Sequence, residues 1–255
     1  MIQTRYVCLR RGTMCPASEN RGSCGRAPPI PIIFWCSRSL SRDFAEAMAQ
    51  LQRINLDFSR ATVELAEFRK FLQDNTTFSE RKVVAELKKR PHLSCLIGFL
   101  QPSVPRADAY KFEFQIQGVF RTDLVVGNLQ FKRFVLVEFE GGQDTSLFGP
   151  KGTNQMRDWS RHLEHGFGQL IDWAWAIQDA GNTQMFRSAF ECEDPIVLYL
   201  LVCGRDAAMK DSTEERRFSW RSQSIILDGK IATCLTYDGL FRFLESTLEA
   251  IKSYH

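Results

Sequence analysis

Between Tyr110 and Gly142 apolar residues recur at every second position, in KFEFQIQGVF, then RTDLVVG, then FVLVEFE, with Gly and polar turns between the runs. A period of two marks strands that alternate between two faces, and successive runs separated by short turns pair as hairpins. Farther along, PIVLYLLVCG is apolar without interruption, the pattern of a central strand covered on both faces. Helical spacing surrounds these strands. Phe44, Met48, Leu51, Ile54 and Phe58 predict a first helix from Phe44 through Phe71. The order helices, hairpins, helix, strand, helix, strand, helix predicts an α/β sandwich: a mixed sheet flanked by helices and preceded by a helical segment.

Local signals place the remaining elements. Thr77 with Glu80 three residues later, ahead of Val83, Val84 and Leu87, reads as a capping box. Pro91 ends that helix, and HLSCLIGFL forms a short apolar one. A Trp-rich helix is expected from Arg157 to Asp179, closed by Gly181. STEERRFSWRSQSII reads as a helix and KIATCLTY as a strand. Asp238 is the expected N-cap of a terminal helix through Ile251.

The 255 residues, 44% of them hydrophobic, suffice for a substantial core. The net charge of +3 is concentrated at the start: residues 1–40 hold six Arg against one Glu, so the remainder carries about −2. Bulk charge therefore gives no argument for nucleic acid, although Lys88, Lys89, Arg90, Lys132 and Arg133 offer a local basic surface. Residues 1–40 lack both periodicities and read as a poorly ordered leader, with a targeting peptide or an over-extended start as alternatives. A helical segment over 41–77 and a main domain over 78–255 follow. None of the eight Cys shows the paired spacing of a zinc site. Isolated Cys in apolar settings fit reduced thiols and an intracellular, cytoplasmic location. No apolar run reaches the roughly 18–20 residues of a membrane span.

Carboxylates interrupt the strands. Glu138 and Glu140 share one side of FVLVEF, Val137 and Phe139 the other, and Asp123 lies in the preceding run. Like charges gathered on an apolar strand are solvated, paired with cations, or arranged around a metal. On an edge hairpin they would only block aggregation. If GNLQFKR forms a long loop, Asp123 falls level with Val137 or Glu138; a tight turn at Gly127-Asn128 would set it opposite Lys132. In the following helix His162, His165, Gln169 and Trp173 form one stripe. The plain reading makes Trp173 core and the His residues a polar flank, more so for His162 than for His165. Two His at a spacing of three also suit zinc, but no third ligand is evident.

Asp123, then Glu138-Phe139-Glu140, then a helix bearing Gln resembles the PD-(D/E)xK nuclease superfamily. With ERKVVAELKKRPHL, RTDLVV, FVLVEFEGG, HGFGQLIDWAW, LLVCGR and LTYDGL in that order, residues 78–252 look like the Shedu antiphage nuclease domain. The resemblance implies a restriction-endonuclease-like fold and a DNA endonuclease dependent on Mg²⁺, with Mn²⁺ as a substitute, working as a homo-oligomer. It assigns Asp123 and Glu138 as metal ligands, and Asp123, Glu138, Glu140 and Gln169 as catalytic residues. Glu80, Lys151 and His165 are auxiliary candidates. Gln169 with Trp173 resembles a Q-x-x-x-Y element, with Trp in place of Tyr. The chain departs from the family pattern at Glu140, which stands where a lysine is usual. A catalytically silent nucleic-acid-binding or sensing module is the alternative, and a protein-interaction domain a further one.

Overall fold

The computed structural model describes residues 50–102, 104–150, 156–180 and 183–253. Residues 1–49, which include the expected leader, and Lys151 lie outside them. All described residues fall in one compact unit, Arg38–His255. The strands are β1 (Gln52–Arg53), β2 (Ala109–Ile116), β3 (Phe120–Asn128), β4 (Arg133–Phe139), β5 (Ile196–Val202), β6 (Ile226–Leu227), β7 (Lys230–Ile231) and β8 (Thr233–Leu235). The helices are α1 (Phe58–Asp74), α2 (Glu80–Lys88), α3 (Pro91–Cys95), α4 (Arg161–Ala180), α5 (Gln184–Phe190), α6 (Ser212–Arg221) and α7 (Tyr237–Ser253).

Six strands form one mixed sheet in the order β1-β2-β3-β4-β5-β8. The hairpins on one side are antiparallel, whereas β4, β5 and β8 run parallel. Alternation along the strands then builds two cores. Leu124, Val126, Val135, Val137 and Leu200 face α1, α2 and α7, meeting Phe68, Leu87 and Leu244. Val125, Leu136, Tyr199 and Leu201 face α4, meeting Leu163, Phe167, Leu170 and Trp173. Each of these side chains is almost fully buried, worth about 1.5–3 kcal/mol for a large apolar residue. The expected mixed sheet between helical layers is what the chain forms.

Several expected boundaries move. The part of the expected helix from Phe44 to Ala49 lies outside the described residues; within them α1 begins at Phe58, where Asp57 caps it by accepting from the Ser59 and Arg60 amides. Residues just upstream are extended instead: Gln52 and Arg53 pair with β2, and the Ile54 amide donates to the Asp108 carbonyl. Ser79, not Thr77, caps α2 by accepting from the Lys82 amide. Residues 157–160 precede α4; Ser160 caps it, accepting from the Leu163 amide, while Phe148 and Trp159 form a bridge. The expected helix from Ser212 stops at Arg221, and a small hairpin, β6-β7, follows. Thr236 caps α7 by accepting from the Gly239 amide. Asp238, the expected cap, instead binds Arg205 and the Asp206 amide. Helix α5 has no counterpart among the expected elements. Among the described residues no helix is long and apolar enough to cross a membrane, and Cys95, Cys192, Cys203 and Cys234 are free and buried.

Candidate functional site

The β3-β4 register pairs Leu124 with Val137 and Asn128 with Arg133. Asp123 therefore comes level with Glu138, through a four-residue connection over 129–132 rather than the whole GNLQFKR segment. The Asp123 carboxylate reaches the neighbouring strand directly: its Oδ2 accepts from the Phe139 amide at 2.8 Å. These strands occupy the middle of the sheet, so the carboxylates are not the solvated charges of an edge. Glu138 and Glu140 are 4% and 2% exposed.

Helix α4 supplies the opposite wall. Gln169 Nε2 donates to Glu138 Oε1 at 3.0 Å. Glu140 meets two imidazoles, His165 Nδ1 at 2.8 Å from Oε1 and His162 Nδ1 at 3.2 Å from Oε2. Because a carboxylate only accepts, both rings present Nδ1–H to it, and Nε2 is the nitrogen directed elsewhere. The His residues are thus more than a polar flank, His162 included. Ligand atoms of Glu138, Glu140 and His165 lie within 4.8 Å of one another. Asp123 is outside that triple. Of the expected ligand pair only Glu138 belongs to this cluster, where Glu140 and His165 join it. Trp173 is fully buried in the core beneath α4, as its plain reading requires, with Nε1 unpaired among the described residues.

Two glycines permit this closeness. A Cβ at Gly166 would run into the Leu201 side chain and approach Glu140 Cγ to 3.3 Å, so any larger residue would hold α4 away from the sheet. A Cβ at Gly142 would collide with the Phe78 ring. The Gly142 amide donates to the Phe78 carbonyl at 2.9 Å, tying the end of EFEGG to the start of α2. Glu80 sits in the first turn of that helix, where its charge and Glu140 repel each other; burial and that repulsion raise its pKa. Since Ser79 performs the capping, Glu80 is not needed for it. Tyr237 braces the other side, its hydroxyl donating to the Glu140 carbonyl at 2.5 Å.

The electrostatics are unfavourable without a cation. Burial, then repulsion by Asp123, Glu140 and Glu80, pushes the Glu138 carboxyl up to about 10, against a smaller opposing effect of Gln169. Burial and the charges of Glu80 and Glu140 raise Asp123 to about 7, opposed by the Phe139 amide and by Arg121. Among the described residues no Lys or Arg forms a salt bridge with Asp123, Glu138 or Glu140; the side chains that reach Glu140 are the two imidazoles. Hard carboxylate oxygens with an adjacent imidazole are a donor set that fits a divalent cation.

Fold and site together define an α/β protein with a carboxylate–imidazole centre on the middle strands of a mixed sheet. Residues 62–241 match the family model described as Shedu protein SduA, C-terminal, and the chain belongs to that family. No curated protein matches it. The sequence marks His162 only as part of a helical stripe with a polar-flank reading, and gives no sign of Tyr237 or Gly166 as parts of the site. The H-x-x-H spacing ahead of Gln169 was a visible signal for the first. The place of Tyr237 depends on how the last helix crosses the sheet, and no local pattern encodes that.

Proposed function

We propose that the chain is a metal-dependent DNA endonuclease of Shedu antiphage defence, hydrolysing phosphodiester bonds at the centre formed by Asp123, Glu138 and Glu140. One observation carries this reading: the carboxylates of Asp123, Glu138 and Glu140 act on one another at the central strands β3 and β4 with no Lys or Arg ion pair among the described residues. Such an arrangement costs stability by itself, whereas a bound cation turns the repulsion into ligation. Asp123 and Glu138 would hold the ion, with Glu140 and His165 beside it. Mg²⁺ suits the carboxylates, and Mn²⁺ also accepts imidazole. When bound, such an ion acidifies the attacking water and offsets charge on the phosphate and the leaving oxygen.

The chain's own residues do the rest. Gln169 fixes the Glu138 carboxylate with one amide hydrogen and retains a second for water or phosphate. Glu140, in the place of the usual PD-(D/E)xK lysine, holds His162 and His165. Their imidazoles supply the nitrogen groups that lysine otherwise provides, with Nε2 available as a base or donor. Cutting both strands calls for two such centres, so a homo-oligomer belongs to the proposal.

Incubating the purified chain with linear and circular DNA, in Mg²⁺, Mn²⁺ or chelator, tests it. Metal-dependent cleavage is expected. The acidic residue at position 140 favours a second reading, a silent DNA-binding module. Salt-sensitive binding with no cleavage in either metal would establish that one instead.

A further inference from the structure

Helix α6 carries Arg216, Arg217, Trp220 and Arg221, and Trp220 is 74% exposed. Trp159, just before α4, stacks on Phe148 with ring centroids 4.7 Å apart and planes 22° from parallel. The Arg217 and Arg221 guanidinium groups lie over the Trp159 ring, at 4.8 and 5.1 Å from its centroid. Trp159 is therefore held by contacts on several sides. Trp220 has far fewer constraints. Together with Thr213, Arg216 and Arg217, the two Trp residues line an open groove of about 380 Å³.

The groove lies where α6 meets the residues that lead into α4. Arg221 pairs with Glu164 at 2.8 Å and lies over the Phe167 ring, which ties α6 and the groove to the face of α4 turned away from His162 and His165. Its rim is cationic as well. Among the described residues Arg161, Arg216 and Arg217 form no salt bridge with a carboxylate, and Arg217 donates to the Arg157 carbonyl instead. Arg161 shares the first turn of α4 with His162. Guanidinium groups that no carboxylate neutralises attract a polyanion.

We infer that this groove binds an unpaired nucleobase of DNA, stacked on Trp220 against the wall formed by Trp159, with Arg216 and Arg161 on the flanking phosphates. Indole faces and guanidinium planes are the surfaces on which unstacked bases settle, and phosphates take the adjoining charges. A base inside a duplex has both faces covered by its neighbours and offers none to Trp220. The DNA bound in this groove is accordingly single-stranded or locally unpaired. The identity of the polymer rests on the nuclease reading above.

Fluorescence anisotropy in chelator, where no strand is cut, compares the affinity of the full chain for a labelled single strand and for the same sequence as a duplex. The single strand is expected to bind more tightly. Trp220→Ala should weaken single-strand binding about 10-fold and duplex binding less than twofold, while Trp220→Phe keeps most of the affinity. Arg216→Gln should lower the salt slope by about 0.7. Trp220 is exposed, so an unchanged melting temperature will show that the variant folds. Single-strand affinity within twofold of wild type in Trp220→Ala, or a wild-type preference for duplex, overturns the inference. Cleavage measured separately keeps the two readings apart. A chain that cuts DNA but ignores Trp220→Ala loses this inference alone; one that binds single strands through Trp220 and never cuts loses the nuclease reading alone.

Discussion

Glu138 concentrates the conflict at the site: buried, close to other carboxylates, and hydrogen-bonded to Gln169 but, among the described residues, to no Lys or Arg. Glu138→Gln should abolish cleavage by deleting a ligand charge. It should also raise the metal-free melting temperature by about 3 °C or more, on a scale of about 2–4 °C per kcal/mol for a domain this size. The pH dependence follows from the same shifts. For Asp123 and Glu138 the folded-state pKa lies above the unfolded value, so their stabilising contribution is fully present below about pH 4. It is lost as pH rises through about 7 for Asp123 and toward about 10 for Glu138. Metal-free protein should therefore melt higher at pH 5 than at pH 8, and Glu138→Gln should flatten that slope. Thermal melts in chelator across this range check both statements, and a wild type most stable at pH 8 would contradict them. Glu140→Ala removes the group that holds both imidazoles and should slow cleavage by about 10² to 10⁴. A rate unchanged by that substitution would remove Glu140 from the chemistry. At this scale the acids were legible because strand alternation alone puts Glu138 and Glu140 on one face. The imidazole contacts were not, since they depend on how closely a helix distant in sequence approaches that face.

Among the elements, α4 decides whether the site assembles, and Gly166 decides how near α4 can come. Gly166→Ala would gain about 1 kcal/mol of helix propensity, yet its Cβ would press on Leu201 in a packed core, where overpacking costs about 1–3 kcal/mol. The expected outcome is a melting temperature equal to or below that of wild type, with slower cleavage as His162 and His165 withdraw from Glu140. A more stable variant cutting at the full rate would show that the close approach is dispensable. Strands were the most legible elements because period two and the unbroken run in PIVLYLLVCG leave few alternatives. Helix starts were less so. Phe44 to Phe58 has helical spacing, but the Asp57 cap starts α1 later, and edge pairing with β2 takes Gln52 and Arg53. Likewise Thr77-x-x-Glu80 satisfies the capping-box pattern, and the actual cap, Ser79, lies between them.

For the whole molecule, the sheet sets the carboxylates at its centre, and α4 brings two imidazoles and an amide to them. The family and the layered architecture were legible because motif order along 78–252 carries information that no single motif does. The groove between Trp159 and α6 was not, because its residues are more than fifty positions apart and meet only in the fold. The account turns on whether these carboxylates support metal-dependent hydrolysis of DNA. The most direct measurement is the initial rate of circular DNA cleavage by wild type and Asp123→Ala, purified in parallel and assayed in Mg²⁺, Mn²⁺ and chelator. The account predicts cleavage by wild type in metal, none in chelator, and none by Asp123→Ala under any condition. Equal rates for the two proteins would contradict it, as would a wild type that cuts no DNA in either metal.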